Sequence, residues 1–125
     1  MAFVQALQAL DFRPVLLSGP SEVKVVDVAI VRTLEALAER TDGGDVLLAS
    51  HDGDFAEALA PLVRDDGRRV GVLGFRELIS SQLRDLVGDG LELYDLEDDA
   101  QAFTVALPRV RVIPIADFDP WTLLG

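Results

Sequence analysis

Three short apolar runs, DVLLAS (45–50), RRVGVLGF (68–75) and LELYDL (91–96), recur along the chain with helical segments between them. That recurrence constrains the fold more than any other feature. DVLLAS is apolar at consecutive positions, as in a strand buried on both faces of a parallel sheet. Parallel neighbours need a crossover, usually a helix. DFAEALAPLVRDDG and RELISSQLRDLVGDG supply two, the first with Pro61 inside it, where a kink is expected. Upstream, MAFVQALQAL has a helical period with Phe3, Leu7 and Leu10 on one face. RPVLLS reads as a short strand, and VKVVDVAIVRTLEALAER as a long amphipathic helix closed by the turn TDGGD. In the tail (103–125), RVRVIPI reads as a further strand, followed by ADFDPWTLLG. The alternation predicts a three-layer α/β/α fold with a mostly parallel sheet. At 125 residues, a single domain is expected.

Composition excludes several classes. Half of the residues are hydrophobic, which supports a packed core and argues against disorder. There are no cysteines, so disulfides, thiolate zinc sites and cysteine nucleophiles are excluded together. No stretch approaches the roughly 18 to 20 apolar residues of a membrane span, so no membrane role is expected. The opening MAFVQALQAL lacks a basic n-region and a small-residue cleavage site, which makes the cytoplasm the expected compartment. A net charge of -11 argues against a broad electrostatic footprint on nucleic acid. It is compatible with meeting phosphates through a bound divalent metal.

The candidate site is a carboxylate constellation. In open α/β sheets, ligands bind at the carboxyl ends of the strands. Asp52 and Asp54 stand there, directly after strand residues 46–49. Two crowded like charges repel, and an ion between them would relieve that repulsion. A local reading also accounts for them: Asp54 as an N-terminal helix cap and Asp52-Gly53 as a tight turn. Asp27 adds to the pattern. At roughly 100° per residue, Ile30, Val31, Leu34, Leu37 and Ala38 form the apolar side of their helix, with Arg32, Glu35 and Glu39 turned away. Asp27 falls near the centre of that apolar side, where a carboxylate is costly unless paired or metal-bound. The alternative is a first-turn acid favoured by the helix dipole and still reached by water. Three acids from two strand-to-helix junctions suit Mg²⁺ or Mn²⁺, which take oxygen ligands and keep several waters.

The ordered set KVVDVAIVRTLEAL, VLLASHDGDF and GRRVGVLGF resembles the NYN domain, the branch of the PIN-like ribonuclease superfamily that includes LabA-like proteins. The resemblance covers roughly residues 13–96. It implies a PIN-like fold, a metal-binding cluster containing Asp27, Asp52 and Asp54, and phosphodiester hydrolysis of RNA by a metal-activated water. Ser50 matches the family's serine ahead of the acids and is expected to support a carboxylate or a metal-bound water. Lys24 and Arg76 are weaker candidates for contacts to substrate.

The chain also departs from the family pattern. His51 stands where the family has a small residue, either touching phosphate or lying in a solvated loop. The family's opening strand, ending in aspartate and followed by asparagine, has no counterpart before MAFVQALQAL. Either the natural chain starts upstream, or the domain manages without that strand, or RVRVIPIADFDP fills the position and brings Asp117 or Asp119 to the acids. The alternative for that segment is an edge strand and polar tail with an Asp119-Pro120 turn. Arg64, Arg68, Arg69, Arg76 and Arg84 read either as a patch guiding RNA or as solvated partners of Asp65, Asp66, Glu77 and Asp85. Trp121, Leu123 and Leu124 are apolar enough to dock on the body or on another subunit. A homodimer through an exposed sheet edge or this tail is a further expectation. The rival to a ribonuclease is a weak or inactive PIN-like module that binds RNA or a protein partner.

Overall fold

The computed structural model describes residues 2–108 and 112–124. The chain divides into two compact units, Met1–Thr33 and Leu34–Gly125.

The N-terminal unit holds helix α1 (Ala2–Ala9) and the first part of helix α2 (Val25–Glu39). The RPVLLS segment forms no strand; residues 12–20 carry no regular structure. A strand exists only against a bonding partner, and this unit offers none among its described residues. Phe3 and Leu10, two of the three residues on the α1 apolar face, remain 74% and 70% exposed.

The C-terminal unit is built on a parallel sheet of β1 (Val46–Ala49), β2 (Val70–Gly74) and β3 (Glu92–Asp95), in the order β1-β2-β3. Val46 pairs with Val70, and Gly71 with Glu92. Helix α3 (Ala56–Val63) connects β1 to β2, and the short helix α4 (Ser81–Arg84) lies between β2 and β3. Leu59, Leu62, Leu83, Val70 and Val72 are fully buried. Each such side chain contributes about 1.5–3 kcal/mol relative to full exposure. The α/β class and the parallel sheet are therefore as the sequence implies, on a smaller scale. Within this unit only one sheet face is closed. On the other, Leu47 is 58% exposed, Ala49 is exposed, and Leu73 and Tyr94 are half-buried.

Local chemistry explains where the elements break. Pro61 sits in the last turn of α3, leaves the Glu57 carbonyl without its i+4 donor, and the helix ends at Val63. The expected helix over 76–90 is divided: turns of 3₁₀ helix at Arg76–Leu78 and Val87–Asp89 flank α4. Ile79 and Ser80 have extended backbones there, and the Ser80 hydroxyl caps the new helix by accepting from the Leu83 N–H. In the tail, residues 109–111 of RVRVIPI lie outside the described residues, and residues 112–114 carry no strand. Ile115–Asp117 is a 3₁₀ turn, and Asp119 accepts from the Trp121 N–H at 3.0 Å to start helix α5 (Trp121–Leu124). Trp121, Leu123 and Leu124 are each 74% exposed. Among the described residues no helix is long and apolar enough to cross a membrane.

Arg68 fixes the amino end of the sheet. Its side chain is fully buried, although the sequence reads it as solvated or RNA-facing. The guanidinium donates to the Leu37 and Arg40 carbonyls at 3.0 and 3.1 Å and to the Gly44 carbonyl at 3.3 Å. Its Nε donates to Asp65 at 3.2 Å. One planar cation thus closes the carboxyl end of α2 and the glycine turn after it, where Gly43 and Gly44 take left-handed φ values of 71° and 112°. Asp65 is held below the usual carboxylate range, first by the Gly67 N–H and then by Arg68. Arg68→Ala is expected to destabilise the protein by about 3 kcal/mol, since it strands buried carbonyls. Arg68→Lys recovers little of this because an ammonium cannot span the same forked set of acceptors. Urea denaturation of the three proteins measures both effects.

A second ion pair straps β2 to β3 on the open face. Arg69 donates to Glu92 at 2.8 and 3.1 Å and to the Tyr94 hydroxyl at 3.1 Å. The Arg69 hydrogen bond is the main cause of a lowered Glu92 pKa. A group whose folded pKa is depressed adds stability above its unfolded pKa and loses it as pH falls through the folded value. Stability is therefore expected to decline below about pH 4.3. Glu92→Gln removes this group's share of that decline, as read from denaturation midpoints across the acid range.

Candidate functional site

Beyond the last residue of β1, Ala49, the chain turns sharply through residues 50–54. Ser50 Oγ accepts from the Asp52 N–H at 3.0 Å, and Asp52 Oδ1 accepts from the Asp54 N–H at 2.9 Å. Asp52, with an extended backbone, therefore caps the 3₁₀ turn Gly53–Phe55. The capping role that the sequence offers to Asp54 belongs to Asp52, and Asp54 lies exposed inside the turn. Phe55, 3% exposed, anchors the turn in the core. Gly53 lies against α4: a Cβ there would sit 2.5 Å from Ser80 Oγ and 2.7 Å from Gln82 Oε1.

The turn is also tied to the end of β2. His51 Nε2 accepts from the Phe75 N–H at 2.7 Å, while the His51 carbonyl accepts from the Ser80 N–H at 3.2 Å. The imidazole stacks on Phe75 with centroids 6.2 Å apart, and Phe75 stacks on Phe103 at 6.0 Å. Gly74 makes room for the ring, because a Cβ at that position would lie 2.5 Å from His51 Cδ2. In this arrangement Nε2 carries a lone pair, so the ring proton of the neutral form is on Nδ1. Nε2 is thus engaged as an acceptor, and Nδ1–H is the ring's donor.

The next N–H along β2 is held from the other side. Asp95, 1% exposed at the end of β3, accepts from the Arg76 N–H at 2.9 Å. Its second oxygen accepts from the Glu97 and Asp98 N–H groups at 3.0 and 2.8 Å. Asp95 is a site-building residue that sequence reasoning passed over. The available signal was an acid closing an apolar strand ahead of the run LEDDA.

The other candidates are placed as follows. Asp27 is half-buried in the first turn of α2, in the N-terminal unit, and Lys24 is exposed just before that helix. Asp52 and Asp54 are the candidate acids that the C-terminal unit brings together. Asp117 closes the 3₁₀ turn of the tail and is exposed, with no strand among the described residues to carry it toward the sheet. Arg76 pairs with Asp98 at 3.3 Å and Asp99 at 3.9 Å. Arg64 pairs with Asp89 at 3.1 Å, and Arg84 donates to the Ile79 and Arg76 carbonyls. With Arg68 and Arg69, all five arginines of the expected patch are bonded within the chain.

Among the described residues no three His, Asp or Glu side chains gather into a set able to hold a metal ion. The donor chemistry of the turn still suits magnesium, which takes one or two carboxylates and completes its shell with water and phosphate. Only Asp52 Oδ1 is engaged in the cap, which leaves its other oxygen and the Asp54 carboxylate at the mouth of β1.

Fold and site together define an open-sheet α/β protein with an acid-bearing turn at the carboxyl end of its edge strand. The chain matches no known family model, and no curated protein or solved structure proves significantly similar to it. The turn's packing generates a direct expectation. Gly53→Ala pushes a methyl group into Ser80 and Gln82 and should cost about 1–3 kcal/mol, measurable by thermal or urea denaturation.

Proposed function

We propose that this protein is a divalent-metal-dependent ribonuclease of the NYN, PIN-like kind, with its reaction centre at the carboxyl end of β1. The observation that supports the reading is the turn itself. Two carboxylates sit at the mouth of an edge strand of a parallel sheet, the usual place for ligands in open α/β folds. Asp52 and Asp54 hold Mg²⁺ or Mn²⁺, and Asp27 is assigned to the same cluster by the family resemblance. When bound, the metal lowers the pKa of a water and offsets negative charge on the phosphoryl group. Ser50 fixes the Asp52 backbone, so the carboxylate is ordered before any ligand arrives. The RNA backbone is met through the ion, since Arg64, Arg68, Arg69, Arg76 and Arg84 are bonded within the chain.

That commitment of arginines, with the net charge of -11, favours a second reading: a PIN-like module that binds a protein partner without efficient catalysis. Its surface would be the sheet face around the exposed Leu47 and the edge of β1, which pairs only with β2 among the described residues and also suits a homodimer. The two readings separate in one assay. The enzyme is expected to cleave single-stranded RNA only with Mn²⁺ or Mg²⁺. Asp52→Asn and Asp54→Asn should each lose more than the roughly 10- to 100-fold typical of outer-shell changes. Failure of the wild-type protein to bind Mn²⁺ at millimolar concentration rules out the nuclease and leaves the binding module.

A further inference from the structure

The structure assigns His51 the role of a positioning residue that latches the acid-bearing turn to the end of β2. This deepens, and rests on, the reading of Asp52 and Asp54 as a metal site. A two-carboxylate site is only as good as the order of its turn, because each ligand carboxylate must be held in place before the ion arrives. Within itself the turn has the Ser50 and Asp52 caps and the Phe55 N–H on the Asp52 carbonyl at 3.4 Å, and Phe55 seats its far end in the core. These shape it but do not fix it to the sheet. His51 supplies that attachment, through its Nε2 on the Phe75 N–H at 2.7 Å and through its carbonyl on the Ser80 N–H at 3.2 Å.

Several features indicate a specific fit. The residue before Phe75 is Gly74, and only a glycine admits the imidazole, given the 2.5 Å separation a Cβ would have from Cδ2. The ring lies on Phe75, which in turn lies on Phe103, so its plane is fixed as well as its nitrogen. The bond uses a lone pair on Nε2 and needs no charge. A side chain of similar reach with an acceptor at its end can therefore replace it, and glutamine is such a side chain. With Nε2 accepting from Phe75, any donation by the neutral ring falls to Nδ1–H.

The test uses the full chain and Mn²⁺ alone, with affinity read by calorimetry and by the paramagnetic signal of the free ion. His51→Ala is expected to weaken Mn²⁺ binding by about 10- to 100-fold, the range of residues that orient ligands without touching the metal. His51→Gln is expected to restore the wild-type affinity. In ¹⁵N spectra of the wild-type ring, the proton should be on Nδ1. Gly74→Ala leaves the histidine in place but displaces its ring, and should copy the loss seen with His51→Ala. It provides the measurement if the alanine variant at position 51 does not fold. Unchanged Mn²⁺ affinity in His51→Ala or Gly74→Ala overturns the assignment, as does a proton on Nε2 or failure of His51→Gln to rescue. A wild-type protein that does not bind Mn²⁺ removes the metal reading and this role with it. That outcome is distinct from intact binding that ignores position 51.

Discussion

The carboxyl end of the sheet depends on two consecutive backbone N–H groups, those of Phe75 and Arg76. As β2 ends, these groups lose their place in the sheet ladder, and a buried N–H without a partner is costly. Each is taken by a side chain from a neighbouring strand's terminal turn, His51 from beyond β1 and Asp95 from β3. The central strand is thereby clamped from both sides. The turns after β1 and β3 are each held by the same side chain that satisfies β2, His51 for the first and Asp95, through its second oxygen, for the other. The acid-bearing turn is thus held by the sheet's own requirement for hydrogen-bond partners.

Arg68 does the corresponding work at the opposite end. A buried guanidinium is tolerable only with its protons satisfied, and three carbonyls and one carboxylate satisfy it. Both devices join segments far apart in sequence, Leu37 with Arg68 and His51 with Phe75. The strands they bracket are only four or five residues long. Short strands supply few ladder bonds, so the unit leans on side-chain bonds to hold its ends together.

The strands β1 and β2 were legible as largely consecutive apolar runs, and β3 (ELYD) from the short LELYDL segment between a helix and an acidic turn, none of which needs knowledge of its neighbours. RPVLLS has the same composition without being a strand, because a strand is defined by its partner and composition cannot report one. Arg68 was misread for a related reason. Beside Arg69 in a polar stretch it has no local mark of burial, and its carbonyl acceptors Leu37, Arg40 and Gly44 lie 31, 28 and 24 residues upstream. The turn at residues 50–54 was half legible. Its position after β1 followed from the pattern, whereas the choice of Asp52 over Asp54 as cap depends on a bend the sequence does not announce. His51 shows the same limit: its neighbours in sequence are a serine and an aspartate, but its chemistry is decided by the N–H at the end of β2.

Charge places a further constraint on any ligand of this site. Arg64, Arg68, Arg69, Arg76 and Arg84 are engaged by Asp89, Asp65, Glu92, Asp98 and backbone carbonyls of the same unit. A polyanion approaching the mouth of β1 meets Asp52 and Asp54, and these five arginines are already paired rather than free to draw nucleic acid in. A divalent ion at these acids would cancel their two negative charges, so on the proposed function RNA binding would depend on metal occupancy. An uncharged or basic protein surface faces no such barrier, and it would find apolar area beside the same turn at Leu47 and Ala49. On the proposed function, metal occupancy would decide which kind of partner this end of the sheet accepts.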